Sequence, residues 1–175
     1  MSRHVYEDLL TGGHPNSLGN TLTVVEAVLN KPADLGSLFE CFFSEDAVVR
    51  MRVANAMKRI ARAEKQLLLP YLDRFLDEIA LIDQASTRWS LAQLFLLLDA
   101  DLSQAQLKRA KKILVDNLMN ESDWIVLNMT METLGKWALY DDALKTSIRG
   151  RILELKDDPR RSVSKKALKT ASLLY

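Results

Sequence analysis

The sequence predicts an all-α fold, a short right-handed α-α solenoid of stacked helix hairpins, and three observations lead there. Apolar residues make up 48% and charged residues 27% of the 175 residues, with only six Gly and four Pro. That composition excludes a disordered tail and a turn-rich β-protein. Apolar side chains recur at helical spacing through nearly the whole chain. A helical phrase also returns along it: a carboxylate or amide, a basic or apolar residue four places on, then an apolar stripe. The copies run from Asp46 to Ile60, Gln84 to Leu98, Asp123 to Trp137 and Asp157 to Ala171. Roughly one helix hairpin separates each copy from the next, and a hairpin cannot bury its apolar side alone, so it stacks on a neighbour.

Taken in order, a short helical turn around Tyr6 to Leu10 is followed by Gly12-Gly13-His14-Pro15-Asn16, which is turn chemistry. Residues 1–17 are therefore expected as an N-terminal arm or cap. Helices are then predicted over Leu18 to Asn30, Pro32 to Phe43, Asp46 to Ala63, Leu67 to Ile82, Ala85 to Leu98, Gln104 to Asn120, Asp123 to Leu139, Asp142 to Lys156 and Pro159 to Leu174. Ser103 with Gln106 makes a capping-box pattern, and Asp141 can accept from the free amides of the helix it precedes. Pro159 suits a first helical position, where its missing N–H would be orphaned anyway. No linker long enough to divide domains interrupts the series, so residues 1–175 read as one domain, with 157–175 as its C-terminal capping helix.

The first copy shows why packing governs this fold. Val49, Val53, Ala56, Met57 and Ile60 fall on one stripe, and Arg50, Arg52, Lys58, Arg59 and Arg62 are expected outside it or at its edges. Burying each Val, Met or Ile stabilises by roughly 1.5 to 3 kcal/mol, while propensity differences stay below about 0.7 kcal/mol per residue. Val53, Ala54 and Ile60 correspond to Leu91, Ala92 and Leu98 in the second copy and to Thr130, Met131 and Trp137 in the third. The last copy fits more loosely, with Val163, Ala167, Ala171 and Leu174, as a terminal repeat does. Partner helices lie between copies, one carrying Leu68, Leu72, Phe75, Leu76 and Ile79, another Leu107, Ala110, Ile113, Leu114 and Leu118.

The run from Asp46 through Arg50 to Met57 resembles the second helix of a HEAT repeat, and Asp157-Asp158-Pro159-Arg160-Arg161 resembles the entry to another. The chain is similar to small prokaryotic HEAT-repeat proteins over residues 18–174, with about four repeats. The resemblance implies packing rather than a common chemistry. It also implies a ladder in which the Asp and Arg of each phrase tie adjacent repeats together. Asp46 and Arg50 match it, Gln84 and Arg88 match in part, and the third copy departs with Leu127 where Arg belongs.

Chemistry is sparse. His4 and His14 both lie in the N-terminal segment, without a Cys or carboxylate at metal-ligand spacing. HEAT-like iron hydroxylases use repeated His-Glu pairs, and no His here is followed by Glu. There is no Gly-rich phosphate loop and no nucleophile elbow. Cys41, the single cysteine, sits among Leu38, Phe39, Phe42 and Phe43 and reads as a small buried hydrophobe. The expectation is a non-enzyme without cofactor or metal. The start of the chain lacks the apolar stretch of a signal peptide, and Leu94 to Leu98 is too short to span a bilayer, so a cytoplasmic protein with no membrane partner is expected.

Binding surfaces remain. Trp89 aligns with Met51 and Asn128, off the apolar stripe, and the positions four further on are Asn55, Gln93 and Glu132. In a HEAT solenoid these second helices line the concave side, so Met51, Asn55, Trp89, Gln93, Asn128 and Glu132 would form a polar ridge with an aromatic anchor for a protein or peptide. Trp89 alternatively covers a joint between repeats. Trp124 lies at a helix start, and Trp137 is placed in the core. A second surface is basic: Arg161, Lys165 and Lys169 recur at four-residue spacing on the last helix. Residues 1–87 hold nine Lys/Arg against twelve Asp/Glu, and residues 88–175 hold fifteen against eleven. This stripe either contacts phosphates or is a solvated cap. The sequence therefore favours a non-catalytic protein- or peptide-binding scaffold. The alternative is nucleic-acid binding through the concave face and the basic C-terminal helices, similar to HEAT-like DNA glycosylases.

Overall fold

The structure is a computed structural model that describes residues 1–14 and 16–175; Pro15 of the predicted turn lies outside the described residues. Ten α-helices follow in order among the described residues. They are α1 (Arg3–Leu10), α2 (Thr21–Asn30), α3 (Leu35–Phe39), α4 (Ala47–Glu64), α5 (Leu72–Asp77), α6 (Ala85–Leu97), α7 (Gln104–Asn120), α8 (Trp124–Ala138), α9 (Asp142–Leu155) and α10 (Arg161–Leu174). The described residues contain no strand. Contacts group the chain into two compact units, Met1–Ser90 and Leu91–Tyr175, with the division falling within α6.

The first unit is organised on α4, which packs against α1, α2 and the tight turns at Glu40–Phe43 and Lys65–Tyr71. Val49, Val53, Ala56, Met57 and Ile60 are all fully buried, as the stripe requires. Asp46 caps the helix by accepting from the Val48 amide at 2.7 Å. Phe39 is the hub of an aromatic cluster, with its ring 5.4 Å from Phe42, 4.8 Å from Tyr71 and 5.2 Å from Phe75. Two predicted helices are broken here. Pro32–Phe43 divides into 3-10 turns on either side of α3, and Leu67–Ile82 becomes a 3-10 segment over Lys65–Tyr71, α5 and a further 3-10 turn at Ile79–Leu81. Pro70 explains the second break, since it has no N–H to donate and its ring collides with the preceding turn of an α-helix.

Two cations depart from the expected outer face. Arg52 is 1% exposed and Lys58 is 8% exposed. Arg52 lies three residues after Val49 and four before Ala56, hence on the buried stripe itself, and Lys58 lies four after Ala54 and three before Ala61, both buried.

In the second unit α8 is central, packed against α7, α9 and α10. Val126, Leu127, Met131 and Leu134 are fully buried on it, and Leu114, Leu118, Ile148, Ile152, Val163 and Ala167 meet them from the other helices. Gly135 permits a close approach, because a Cβ there would stand 3.1 Å from the Thr170 methyl of α10. The Thr133 hydroxyl donates to the Ala92 carbonyl at 2.8 Å. The helix starts follow the expected caps: Ser103 and Gln106 form a complete capping box, and Asp141 accepts from the Leu144 amide. The last helix begins later than predicted. Arg160 occupies the N-cap position of α10, and Pro159 lies outside it. Asp158 accepts from both the Arg160 amide and its guanidinium, which holds this turn open.

Candidate ligand-binding surfaces

The described residues joining α1 to α2 form a strap over α4, and Arg52 ties it down. Its guanidinium donates to the carbonyls of Leu10 at 2.6 Å, Gly12 at 2.7 Å, His14 at 3.2 Å and Ser17 at 3.2 Å, and to the Ser17 hydroxyl at 3.2 Å. Carbonyl dipoles thus solvate a charge that is almost wholly withdrawn from water. Glycine is required at two kinds of position in this strap. Gly12 and Gly13 have φ near +70°, and Gly19 combines φ +49 with a site where a Cβ would stand 2.8 Å from Arg52 Cζ.

Beside the anchored strap lies a cavity of about 280 Å³, walled by Ser17 and Leu18 of the strap, Met51 and Asn55 of α4, and Trp89 and Ser90 of α6. Three residues of the predicted ridge, Met51, Asn55 and Trp89, therefore meet around one space. Trp89 is half-buried. Arg59 donates to Asn55 Oδ1 at 2.8 Å, which fixes the amide and leaves its Nδ2 hydrogens as donors. Sequence reasoning missed the strap residues and Arg52. The signal available was an arginine on the apolar stripe together with a Gly-Gly turn upstream.

The other ridge residues lie in the second unit and are not equivalent to one another. Gln93 donates to the Met129 sulfur at 2.9 Å. Asn128 is a correction: it is 6% exposed, and its Oδ1 has no hydrogen-bond partner among the described residues. It occupies the inward side of α8 between the fully buried Leu127 and Thr130, so it presents nothing to a ligand. Glu132 is half-buried and meets Lys166 at 3.0 Å and Lys136 at 3.5 Å. The Lys166 ammonium, more than Lys136, holds its carboxyl below the usual carboxylate range. Trp124 is 48% exposed at the start of α8, whereas Trp137 is buried.

Arg161, Lys165 and Lys169 are all exposed on α10. Much of the neighbouring positive charge is held locally. Arg160 pairs with Asp158, Arg151 with Glu154 at 2.9 Å and Lys166 with Glu132, while Arg149 stacks on the Tyr175 ring at 5.1 Å. The ladder implied by the HEAT resemblance has one well-formed step in the first unit. Arg50 donates to Gln84 Oε1 at 2.7 Å and to the Ser44 carbonyl at 2.6 Å, and Gln84 returns a bond to the Ala47 carbonyl at 2.8 Å. Arg88 reaches Asp83 at 2.9 Å.

Cys41 is fully buried, its thiol facing the Arg3 carbonyl at 3.5 Å, and burial, helped by Glu7, pushes its pKa up to about 12. His4 and His14 are both exposed. No three His, Cys, Asp or Glu side chains converge at metal-binding distance among the described residues. No helix among them is long and apolar enough to cross a membrane.

No known family's sequence profile matches the chain, and no curated protein matches it. Solved structures do. An engineered protein superposes with a TM-score of 0.65 at 18% identity, over 97% of this chain and 79% of that one. A computationally designed armadillo repeat protein for modular peptide recognition superposes at 0.60 with 14% identity, over 98% and 73% of the two chains. A further designed armadillo repeat protein gives 0.55 at 16% identity, over 97% and 81%. At these identities the likeness speaks to fold, and the fold is an all-α helical-repeat solenoid of armadillo-like kind. The HEAT resemblance is met at that level, a stacked helical repeat.

Proposed function

We propose that this chain is a non-catalytic scaffold that binds an extended protein or peptide segment, with Met51, Asn55 and Trp89 as its anchor. The observation that carries the reading is the cavity of about 280 Å³ in which these three residues converge beside the Arg52-anchored strap. Its parts suit a polypeptide. A half-buried indole supplies contact area at low ordering cost, a thioether adds adaptable apolar surface, and an amide fixed by Arg59 supplies donors for a main-chain carbonyl. The likeness in fold to a repeat protein designed for peptide recognition agrees with this use. The competing reading, nucleic-acid binding, draws on exposed Arg161, Lys165 and Lys169. Local pairing of Arg160, Arg151 and Lys166, and a formal net charge of +1, leave it a weak field for phosphates.

The test is selection of peptides from a random display library on the whole chain, followed by titration against Asn55→Ala and Trp89→Ala. Loss of a central aromatic anchor costs about 2 kcal/mol or more, so Trp89→Ala is expected to weaken binding about thirtyfold. Far-UV circular dichroism checks that each variant keeps its helices. Enriched peptides that bind both variants as tightly as the parent, or an oligonucleotide that outcompetes every peptide, would overturn the proposal.

A further inference from the structure

The second unit holds a site of different character, between α8 and α10. A hollow of about 100 Å³ has Met131, Gly135 and Thr170 at its base, Leu173 at its mouth and Lys136, Lys166 and Lys169 around it, with Glu132 among them. Gly135 lets the two helices approach closely at its base, since a Cβ there would stand only 3.1 Å from the Thr170 methyl. Leu173 is 52% exposed at its mouth, an apolar group that gains by being covered. Around this hollow one carboxylate answers three ammonium groups. Glu132 reaches Lys166 and Lys136, and Lys169 stands on the same rim, with Lys165 and Arg161 continuing the positive stripe at successive turns of α10.

We propose that this hollow docks a short acidic peptide segment, which lays one branched aliphatic side chain against the exposed Leu173, over the buried Met131 and Gly135, and sets its carboxylates against Lys136, Lys166 and Lys169. The charge imbalance of the rim selects an anionic partner, and the size of the hollow and the exposed Leu173 select a side chain rather than a phosphate. Nucleic acid fits less well, since single strands are held by aromatic platforms on which bases stack, and no aromatic residue lines the hollow. Glu132 shows how a carboxylate is received there: it bridges ammonium groups from two helices, and Lys166 holds its carboxyl below the usual carboxylate range. It is also the internal competitor for those lysines, so an incoming carboxylate must share or displace it.

That competition makes the proposal testable in both directions. The probe is a fluorescein-labelled peptide of glutamates flanking a single leucine, read by anisotropy against the full chain. Three companions complete the set: the same peptide with serine for leucine, the same peptide with glutamine for glutamate, and a single-stranded oligonucleotide of equal charge. Lys169→Glu is expected to weaken the parent peptide about tenfold, by removing an attraction and adding a repulsion. Glu132→Gln is expected to tighten it severalfold by freeing Lys136 and Lys166. Raising the salt concentration should weaken binding, and both altered peptides should bind more weakly than the parent. Equal binding of the serine peptide would remove the apolar contact from the account, and equal binding of the glutamine peptide would remove the lysine rim. Preference for the oligonucleotide, or indifference to both substitutions in chains that melt cooperatively, would overturn the proposal outright.

Discussion

Replacing Arg52 by methionine removes the guanidinium that ties the strap to α4 while filling much the same volume. It makes five hydrogen bonds to the described residues, two of them, to Leu10 and Gly12, at 2.6 and 2.7 Å. Charge-assisted bonds of this quality contribute about 1.5 to 3 kcal/mol each. The loss is not the sum of all five. Strap carbonyls freed by the substitution can turn toward water, since Gly12, Gly13 and His14 are exposed, and deleting the charge also deletes the cost of burying it. The two short bonds therefore set the scale, and the expected destabilisation is about 3 kcal/mol. Urea unfolding followed by far-UV circular dichroism measures it. Hydrogen exchange of the Thr11 to Asn20 amides adds a local reading, and these should open first. Arg52→Lys keeps a charge and three donors and should recover part of the loss. Stability within 0.5 kcal/mol of the parent, a margin usual for surface substitutions, would refute the reasoning.

Three further outcomes follow from buried or paired charges. Burial, with Arg62 and Arg59 adding to it, pulls Lys58 down to about 8. The folded chain then binds fewer protons than the unfolded one between pH 8 and the ordinary lysine value near 10.4, so stability should rise through that window by about 3 kcal/mol. The gain should be absent in Lys58→Met when both chains are unfolded in urea across the range. With its pKa near 12, Cys41 should resist iodoacetamide at neutral pH, and mass spectrometry should show it alkylated only as fast as the chain opens. The Arg160 guanidinium, against the opposing effect of burial, draws Asp158 down to about 2. The stabilisation from this pair is complete above the ordinary carboxylate value near about 3.9 and is lost as pH falls through about 2. Acid unfolding of Asp158→Asn should lack that component.

What could be read in advance followed from local physics. The α7 boundaries match the predicted Gln104 to Asn120, because Ser103 with Gln106 specifies a helix start through hydrogen bonds made within three residues. The α4 stripe was legible because burial enforces helical spacing. The helix broken around Pro70 was less so: the proline was visible, but the apolar residues on either side continue at helical spacing and hide the interruption. Arg52 was half legible: its place on the apolar stripe was visible, and the groups that solvate it were not. A charged residue on a buried stripe is tolerated only if something solvates it, and that something is a set of backbone carbonyls at Leu10, Gly12, His14 and Ser17, which leave no side-chain signature. The candidate site was legible in part. Register placed Met51, Asn55 and Trp89 together, yet the same register carried Asn128 to the surface when it lies inside, since a shift of a fraction of a turn between copies moves a polar residue from rim to core. The strap wall at Ser17 and Leu18 comes from sequence far from the repeats and could not be inferred from them.

The claim on which the functional account turns is that Met51, Asn55 and Trp89 form one ligand-facing surface. Nuclear magnetic resonance of the isotope-labelled chain, titrated with a peptide enriched on it, tests this residue by residue. The account predicts concentration-dependent shifts of the Trp89 indole N–H, the Asn55 side-chain amide and the Met51 methyl, with the strap amides near Ser17 moving in step. Shifts confined to residues outside this cavity, with these three signals unmoved at saturation, would contradict it.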